Sequence, residues 1–174
     1  GEVMIISDEA LGLLELSRDL IFHKVPPERY AYYVNNALAY GRKKAVAYKG
    51  KDIYSLLREH NIKLVHEDTS GTYHKVRFRA QFVKKNEDMF IVIYNDSMKD
   101  LYTSACKKFD DTISLKLIEQ IHCAHEFFHY LEEKDGCDIS KLLDKVVTTK
   151  FLFWDIRHGV GKTSEIAAHA FAKE

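Results

Sequence analysis

Two strand-like segments between helical patterns limit the fold more than any other feature of the sequence. KVRFRAQFVK, residues 75–84, alternates apolar and polar side chains, and the apolar run MFIVIYN, residues 89–95, follows after the polar turn Asn86-Glu87-Asp88. Two such segments joined by a short polar turn predict a β-hairpin. IKLVHE, residues 62–67, predicts a further strand. The sequence therefore predicts a small, mainly antiparallel sheet.

Helical patterns lie on both sides of this predicted sheet. The first begins at Ser7, a favourable N-cap, and ends before Pro26, since proline cannot continue a helix. The second is closed by Gly41. The predicted helices before the sheet span residues 7–24, 28–41 and 51–60. From residue 111 onward the pattern is mainly helical again.

This order of helices, sheet and helices predicts an α+β fold in one domain. We expect the domain to span residues 1–174, which is long enough to bury a hydrophobic core. Residues 1–49 would form N-terminal helices. Residues 50–174 would form the core, in which the small sheet packs against helices.

Charge balance and cysteine content argue against several classes of protein. The 26 basic and 26 acidic side chains cancel, whereas nucleic-acid-binding proteins usually carry a basic excess, so we expect no direct nucleic-acid binding. No apolar run reaches the roughly 18 residues of a membrane span, so we expect no membrane association. The three cysteines, Cys106, Cys123 and Cys137, form no C-x-x-C pair. Their odd number predicts reduced thiols and a cytoplasmic location.

Residues 113–134 combine a helical apolar pattern with an unusual concentration of histidine. At about 100° per residue, the apolar arc contains Leu117, Ile121, Phe127, Phe128 and Leu131. The opposite arc contains Ile118, His122, His125, Glu126 and His129. An ordinary surface helix would carry lysine, glutamate and glutamine on that arc, so this face is a candidate metal site.

The polar arc contains His125-Glu126-Phe127-Phe128-His129, which has the form H-E-x-x-H. Two histidines four residues apart stand one helical turn apart, so their ring nitrogens can bind one zinc ion at about 2.0–2.1 Å. Zinc lowers the pKa of a bound water molecule to about 7. Glu126 is then placed to accept a proton from that water and pass it to a leaving amine. The pattern favours hydrolysis of a polar carbonyl, most often a peptide bond.

Several side chains are candidates for a third metal ligand, since catalytic zinc usually has three protein ligands and one open position. Asp135 has the spacing of the last ligand in H-E-x-x-H-x-x-G-x-x-H/D enzymes, but Glu132 occupies the place of the turning glycine. Glu165 lies in the first turn of a predicted helix over residues 163–174. His169, one turn later, can bind the metal itself or orient Glu165.

The end of the chain contains a second motif, Glu165-x-x-Ala168-x-x-Phe171-Ala172. It resembles the run E-x-x-A-N-x-F-A of ImmA/IrrE-type metallopeptidases, which follows an H-E-L-G-H helix in that family. The upstream order of a short helix, a strand, a hairpin and the motif helix is also similar. The resemblance covers roughly residues 50–174.

This resemblance implies a zincin-like fold with one zinc ion per chain. It implies that His125, His129 and Glu165 are the zinc ligands and that Glu126 is the general base. His122 and His169 stand where the family has threonine and asparagine, so we expect them to flank the metal ligands as a second shell.

For the function, the resemblance implies a cytoplasmic zinc endopeptidase of narrow specificity. The implied substrate is a regulatory protein such as a helix-turn-helix repressor. The alternative is a catalytically silent zinc-binding module that regulates a partner by binding it. Glu126 favours the peptidase, because a purely structural zinc site needs no base.

Overall fold

The chain folds into two compact units, which are described separately. The computed structural model describes residues 7–68, 71–73, 76–109, 114–151 and 154–173. One unit comprises Gly50–Tyr130, and the other comprises Gly1–Lys49 together with Leu131–Glu174. Helices and a small sheet confirm the predicted α+β fold class. None of the helices in the described ranges is long and apolar enough to cross a membrane.

The unit Gly50–Tyr130 contains the main sheet. Its helices are α3 (Ile53–Glu59), α4 (Asn95–Phe109) and the greater part of α5 (Leu115–Asp135). Its strands are β1 (Ile62–Glu67), β2 (Gly71–Tyr73), β3 (Val76–Phe78), β4 (Ala80–Lys85) and β5 (Asp88–Tyr94). Helix α3 begins after Asp52, whose carboxylate accepts a hydrogen bond from the Ser55 amide and so caps the helix.

The main sheet has the strand order β1-β5-β4 in the described part of the chain. β4 and β5 are antiparallel, which confirms the predicted hairpin. β1 runs parallel to β5, with Ile62 opposite Met89. The sheet is therefore mixed, and the predicted mainly antiparallel sheet was wrong on this point. The reason is that β5 lies in the centre: Ile91 and Ile93 are buried there, as expected for an almost continuously apolar strand.

The hairpin begins later in the sequence than the alternating pattern predicts. The run over residues 75–84 is divided at Arg79 into β3 and β4, and β3 pairs with β2 instead of the main sheet. Lys85 lies opposite Asp88, so Asn86 and Glu87 form a two-residue turn. Asn86 has a φ of 58°, a left-handed conformation that asparagine tolerates better than most residues.

The long helix α5 buries a different arc from the predicted one in its first turns. Leu117 and Ile121, expected in the core, are 43% and 44% exposed, whereas Ile118 is buried. Phe127 and Phe128 are fully buried, as predicted. The prediction from helical spacing is therefore confirmed for the second half of the helix, where the apolar side chains are large. Ile113, which the helical pattern also predicts on the apolar arc, lies outside the described residues.

The other unit is mainly helical. Its helices are α1 (Asp8–Leu16), α2 (Tyr30–Val46), α6 (Ile139–Leu142), α7 (Lys162–Lys173) and the last turn of α5. Its strands are β6 (Val146–Phe151) and β7 (Trp154–His158). The side-chain hydroxyl of Ser7 accepts a hydrogen bond from the Ala10 amide, so Ser7 is the N-cap of α1 as predicted. Short 3₁₀ turns at Phe22–Lys24 and Pro27–Arg29 connect α1 to α2.

Gly41 lies inside α2 instead of ending it. The helix continues to Val46, so the predicted boundary was wrong. A Cβ atom at Gly41 would lie 2.0 Å from the carbonyl oxygen of Ala167 on α7. The glycine is therefore required by the close approach of α2 and α7, and not by a helix end.

β6 and β7 form an antiparallel hairpin in a region that the sequence predicted to be mainly helical. Phe151 lies opposite Trp154, and the pairing is irregular between Val147 and Thr149. The run TTKFLFWDI is rich in β-branched and aromatic residues, which favour strands. That signal was available in the sequence and outweighs the short stretches of helical spacing around it.

Candidate metal centre

Helix α5 brings the imidazoles of His125 and His129 together, as the i, i+4 spacing predicts. Their Nε2 atoms are 3.2 Å apart, and both residues are half-buried. Two nitrogens that bind one tetrahedral zinc ion at about 2.0–2.1 Å are separated by about 3.3 Å. The observed separation therefore fits two ligands of one tetrahedral ion.

The two aromatic residues between the histidines belong to the buried side of the helix. Phe127 and Phe128 are fully buried, and the Phe128 ring lies edge-on to the His129 ring. Both rings lie on the buried side of α5, and His125 and His129 stand one helical turn apart.

Glu165 completes a three-residue cluster with the two histidines. It lies in the first turn of α7. One ring nitrogen from each of His125 and His129 and one carboxylate oxygen of Glu165 all lie within 4.8 Å of one another. This cluster can hold a metal ion, since imidazole and carboxylate are both common metal ligands.

Glu126 is held beside the cluster by the main sheet. Its Oε2 atom accepts a hydrogen bond of 3.0 Å from the Phe82 amide on β4. Glu126 directly follows His125 on α5, and it is half-buried. The backbone contact fixes the orientation of its carboxylate, and sequence reasoning could not foresee it because it depends on how β4 lies against α5 within this unit.

Asp135 has a different environment from the three clustered residues. It is exposed, its Oδ2 atom accepts a hydrogen bond of 3.2 Å from the Lys44 ammonium group, and it is not in the cluster. Helix α5 runs through Glu132 to Asp135 without the turn that a glycine would provide. Of the candidates for the third ligand, the structure brings Glu165 to the histidines and leaves Asp135 apart.

The two predicted second-shell histidines have separate surroundings, and the cluster includes neither. The Nδ1 atom of His122 is 2.8 Å from the carbonyl oxygen of Ile118 on the same helix. Because a carbonyl only accepts, Nδ1 carries the proton in this contact. His169 is exposed on α7 and lines a cavity of about 390 Å³ together with Asp8 and Lys173. Their second-shell role stays a prediction.

Two nearby groups have environments that set them apart from the metal cluster. The Tyr130 hydroxyl lies 3.1 Å from Nδ1 of His60 in a buried position, so this tyrosine is directed into the unit Gly50–Tyr130. Burial raises the pKa of the Cys123 thiol to about 12, with the nearby acids Glu119 and Glu126 adding to the effect. The thiol therefore stays protonated at neutral pH, and a protonated thiol is a poor metal ligand.

Glu132 is a buried acid whose contacts the sequence did not reveal. Its side chain accepts hydrogen bonds from the Ser164 hydroxyl and from the Ile139 amide. The sequence places it only at the position of a missing glycine. Glu132 follows a histidine by three residues in a helix and precedes a short polar segment, which is an ordinary pattern. No sequence signal therefore distinguishes Glu132 from a glutamate on the surface.

No protein-family model, curated protein or solved structure matches this chain. The resemblance to ImmA/IrrE-type metallopeptidases therefore remains a prediction from two motifs. The site itself is defined by the described residues: two imidazoles and a carboxylate that can hold a metal ion, with a second carboxylate held by the edge of a sheet.

Proposed function

We propose that this protein is a zinc-dependent endopeptidase of narrow specificity. We further propose, from the resemblance in its motifs, that its substrate is a regulatory protein of the repressor type. The observation that carries the proposal is the convergence of His125, His129 and Glu165, with Glu126 held next to them by the Phe82 amide.

The choice of zinc rests on the ligand set and its geometry. Two neutral imidazoles and one carboxylate form the His₂Glu set of several catalytic zinc sites, which leave one position open. The Nε2 separation of 3.2 Å between His125 and His129 suits tetrahedral binding. When bound, zinc would supply Lewis-acid activation of water and of the substrate carbonyl.

Glu126 would act as the general base and then as the general acid. It takes a proton from the attacking water at one carboxylate oxygen and delivers that proton to the leaving amine nitrogen. The Phe82 amide holds Oε2, so the carboxylate is already oriented before the substrate binds. This preorganisation removes part of the entropic cost of reaching the reactive geometry.

The edge of β4 would hold the substrate in an extended conformation. β4 is at one end of the strand order β1-β5-β4, and an extended peptide can add to such an edge through main-chain hydrogen bonds. The Phe82 amide faces Glu126 and therefore points away from β5. By the alternation of a strand, the amides of Ala80 and Lys84 point the same way.

Metal analysis of four variants tests the metal centre. The purified protein should contain about one zinc ion per chain, and His125→Ala or His129→Ala should lose most of it. Glu165→Ala should weaken zinc binding, whereas Asp135→Ala should leave it unchanged, because Asp135 is exposed and paired with Lys44. Full zinc retention in both histidine variants would contradict the proposed site.

Cleavage of a candidate repressor then tests the activity. The zinc-loaded protein should cut the repressor, and a chelator should stop cleavage until zinc is restored. If zinc binds at the site and no repressor is cut by the loaded protein, the proposed substrate class is wrong.

A further inference from the structure

We propose that Glu132 is a positioning residue that holds Glu165 in place for metal binding. The proposal rests on the proposed metal site and adds a residue outside the ligand set. It concerns the end of α5, the start of α6 and the first turn of α7, which lie in one unit of the chain.

Glu132 connects these three helices through its two carboxylate oxygens. Oε1 accepts a hydrogen bond of 2.6 Å from the Ser164 hydroxyl, and Oε2 accepts one of 3.1 Å from the Ile139 amide. The Ile139 amide is at the start of α6, where backbone donors have no partner inside the helix. Glu132 thus satisfies an unpaired donor of α6 and binds the first turn of α7.

The burial of Glu132 indicates that these contacts are strong constraints. Its relative exposure is 8%, and acids are almost never buried to this degree unless their oxygens are paired. The backbone oxygen of Glu132 also accepts a hydrogen bond of 3.0 Å from the Cys137 amide, which fixes the end of α5. Glu132 therefore holds the chain after α5 in two ways. Its backbone oxygen binds the Cys137 amide, and its side chain binds the Ile139 amide.

The link to the metal site runs through neighbours in sequence. Ser164 directly precedes Glu165, so the hydroxyl that binds Glu132 sets the position of the turn that carries Glu165. Glu132 is three residues after His129 on the continuous helix α5. The hydrogen bond from Ser164 to Glu132 therefore ties the turn that carries Glu165 to the last turn of α5. Metal sites need their ligands held to within about 0.5 Å, which is the scale that one such contact controls.

The first turn of α7 has further contacts, which explain why Glu132 acts on position more than on folding. The Thr163 hydroxyl donates to the carbonyl oxygen of Val160, and the Lys162 amide donates to the carboxylate of Asp19. These bonds form the start of the helix. They do not connect it to α5, whereas the bond from Ser164 to Glu132 does.

The experiment measures zinc affinity by competition with a chromogenic chelator, together with the visible spectrum of the cobalt(II)-substituted protein. Ser164→Ala removes the hydroxyl and leaves the ligands intact. We expect its zinc affinity to fall about 10- to 100-fold, the range found when a group that orients a metal ligand is lost. We also expect the cobalt spectrum to change, because the third ligand moves.

Two substitutions at Glu132 separate geometry from charge. Glu132→Ala should lower zinc affinity at least as much as Ser164→Ala. Glu132→Gln should stay within about threefold of the unsubstituted protein, since the amide oxygen can accept from Ile139 and the serine hydroxyl can accept from the amide nitrogen. A loss in Glu132→Gln as large as in Glu132→Ala would overturn the positioning role. If Glu132→Ala does not fold, Ser164→Ala still decides the question.

Tyr33→Phe is the matched control in the same unit. It removes a hydrogen bond of 2.6 Å from the buried tyrosine to the carbonyl oxygen of Asp144. This bond involves neither Glu132 nor the first turn of α7. It should lower the melting temperature and leave zinc affinity and the cobalt spectrum unchanged. If Ser164→Ala behaves like Tyr33→Phe, Glu132 is merely structural. Absence of metal binding in the unsubstituted protein would instead overturn the proposed site as a whole.

Discussion

At the scale of single residues, neighbours on α5 make separate contacts that substitution can distinguish. His125 faces His129, with their Nε2 atoms 3.2 Å apart, while Glu126 faces the Phe82 amide. Successive residues of a helix differ in direction by about 100°, which separates the two contacts. A change at Glu126 can therefore alter the contact with β4 and leave the histidine pair in place.

Glu126→Gln should abolish most activity and keep the metal. Glutamine retains the shape and an oxygen that can accept from the Phe82 amide, but it cannot take a proton. We expect repressor cleavage to fall by about 10²- to 10⁴-fold, the contribution of general base catalysis. Zinc content and melting temperature should remain close to those of the unsubstituted protein.

The same variant separates the peptidase from the silent binding module. A deletion strain should be complemented with each allele, and the level of the repressor and of its target transcripts should be followed. Full complementation by Glu126→Gln with the repressor uncut would refute the peptidase and support a module that acts by binding.

At the scale of elements, the sequence predicted those helices and strands whose pattern lies within one short segment. The β4–β5 hairpin follows from its alternation and polar turn, and the histidine pair follows from the i, i+4 spacing on α5. The role of Gly41 could not be read in this way, because a glycine at a helix end and one at a close helix contact look alike in sequence. The parallel pairing of β1 with β5 also depends on tertiary structure.

Gly41→Ala should destabilise the protein although alanine is the better helix former. In an open helix this change would gain about 1 kcal/mol. Here the added Cβ would meet the Ala167 carbonyl oxygen at 2.0 Å, so we expect the free energy of unfolding to fall by about 1–3 kcal/mol. Urea denaturation measures the change. Asn35→Ala on the exposed side of α2 is the control and should be neutral or slightly stabilising.

Lys84→Pro should reduce substrate binding and spare the metal. Proline removes the outward backbone donor of β4 that an added strand would use, and prolines are tolerated at such edge positions. We expect cleavage to fall at least tenfold with unchanged zinc content. Lys84→Ala removes the same side chain and keeps the amide, so it should cleave normally. Equal cleavage by both folded variants would argue against docking by strand addition.

At the scale of the whole molecule, the candidate site combines residues that are distant in sequence. Helical spacing specified His125, His129 and Glu126, since these follow one another on one helix. The third ligand could not be chosen by spacing, because both Asp135 and Glu165 fit a known pattern. Their environments in the folded chain separate them: Asp135 is paired with Lys44, and Glu165 lies with the two imidazoles.

The contacts of Asp8 should make the protein less stable as the pH falls into the acid range. The Asp8 carboxylate accepts hydrogen bonds of 2.7 Å from Lys173 and 2.8 Å from Arg42, and the bond from Lys173 is the main cause that holds its pKa below 3.8. A lowered pKa stabilises the fold above the unfolded value, and this stability is lost as pH falls through the folded value.

Asp8→Asn should therefore lower the unfolding free energy by about 1 kcal/mol at pH 7 and by progressively less below about pH 4. Urea denaturation at a series of pH values measures this difference. Lys173→Met should reproduce most of it. Glu9→Gln removes another acid from the first turn of α1 and is the control. Its effect on the unfolding free energy should not show the loss between pH 7 and pH 2 that we expect for Asp8→Asn. A constant difference between pH 7 and pH 2 would contradict the assigned contacts.

The contact between Glu126 and the Phe82 amide also bears on aggregation. An exposed strand edge is a template on which a second copy of a chain can add its own strand. On β4, the central outward amide is engaged by a carboxylate, and Lys84 and Lys85 place two like charges at the exposed end of the strand. A second copy in antiparallel or parallel register would have to displace the carboxylate and accommodate these lysines. The same carboxylate also limits how a substrate can add to this edge, since a strand that leaves it in place pairs with the Ala80 and Lys84 amides on either side of Phe82.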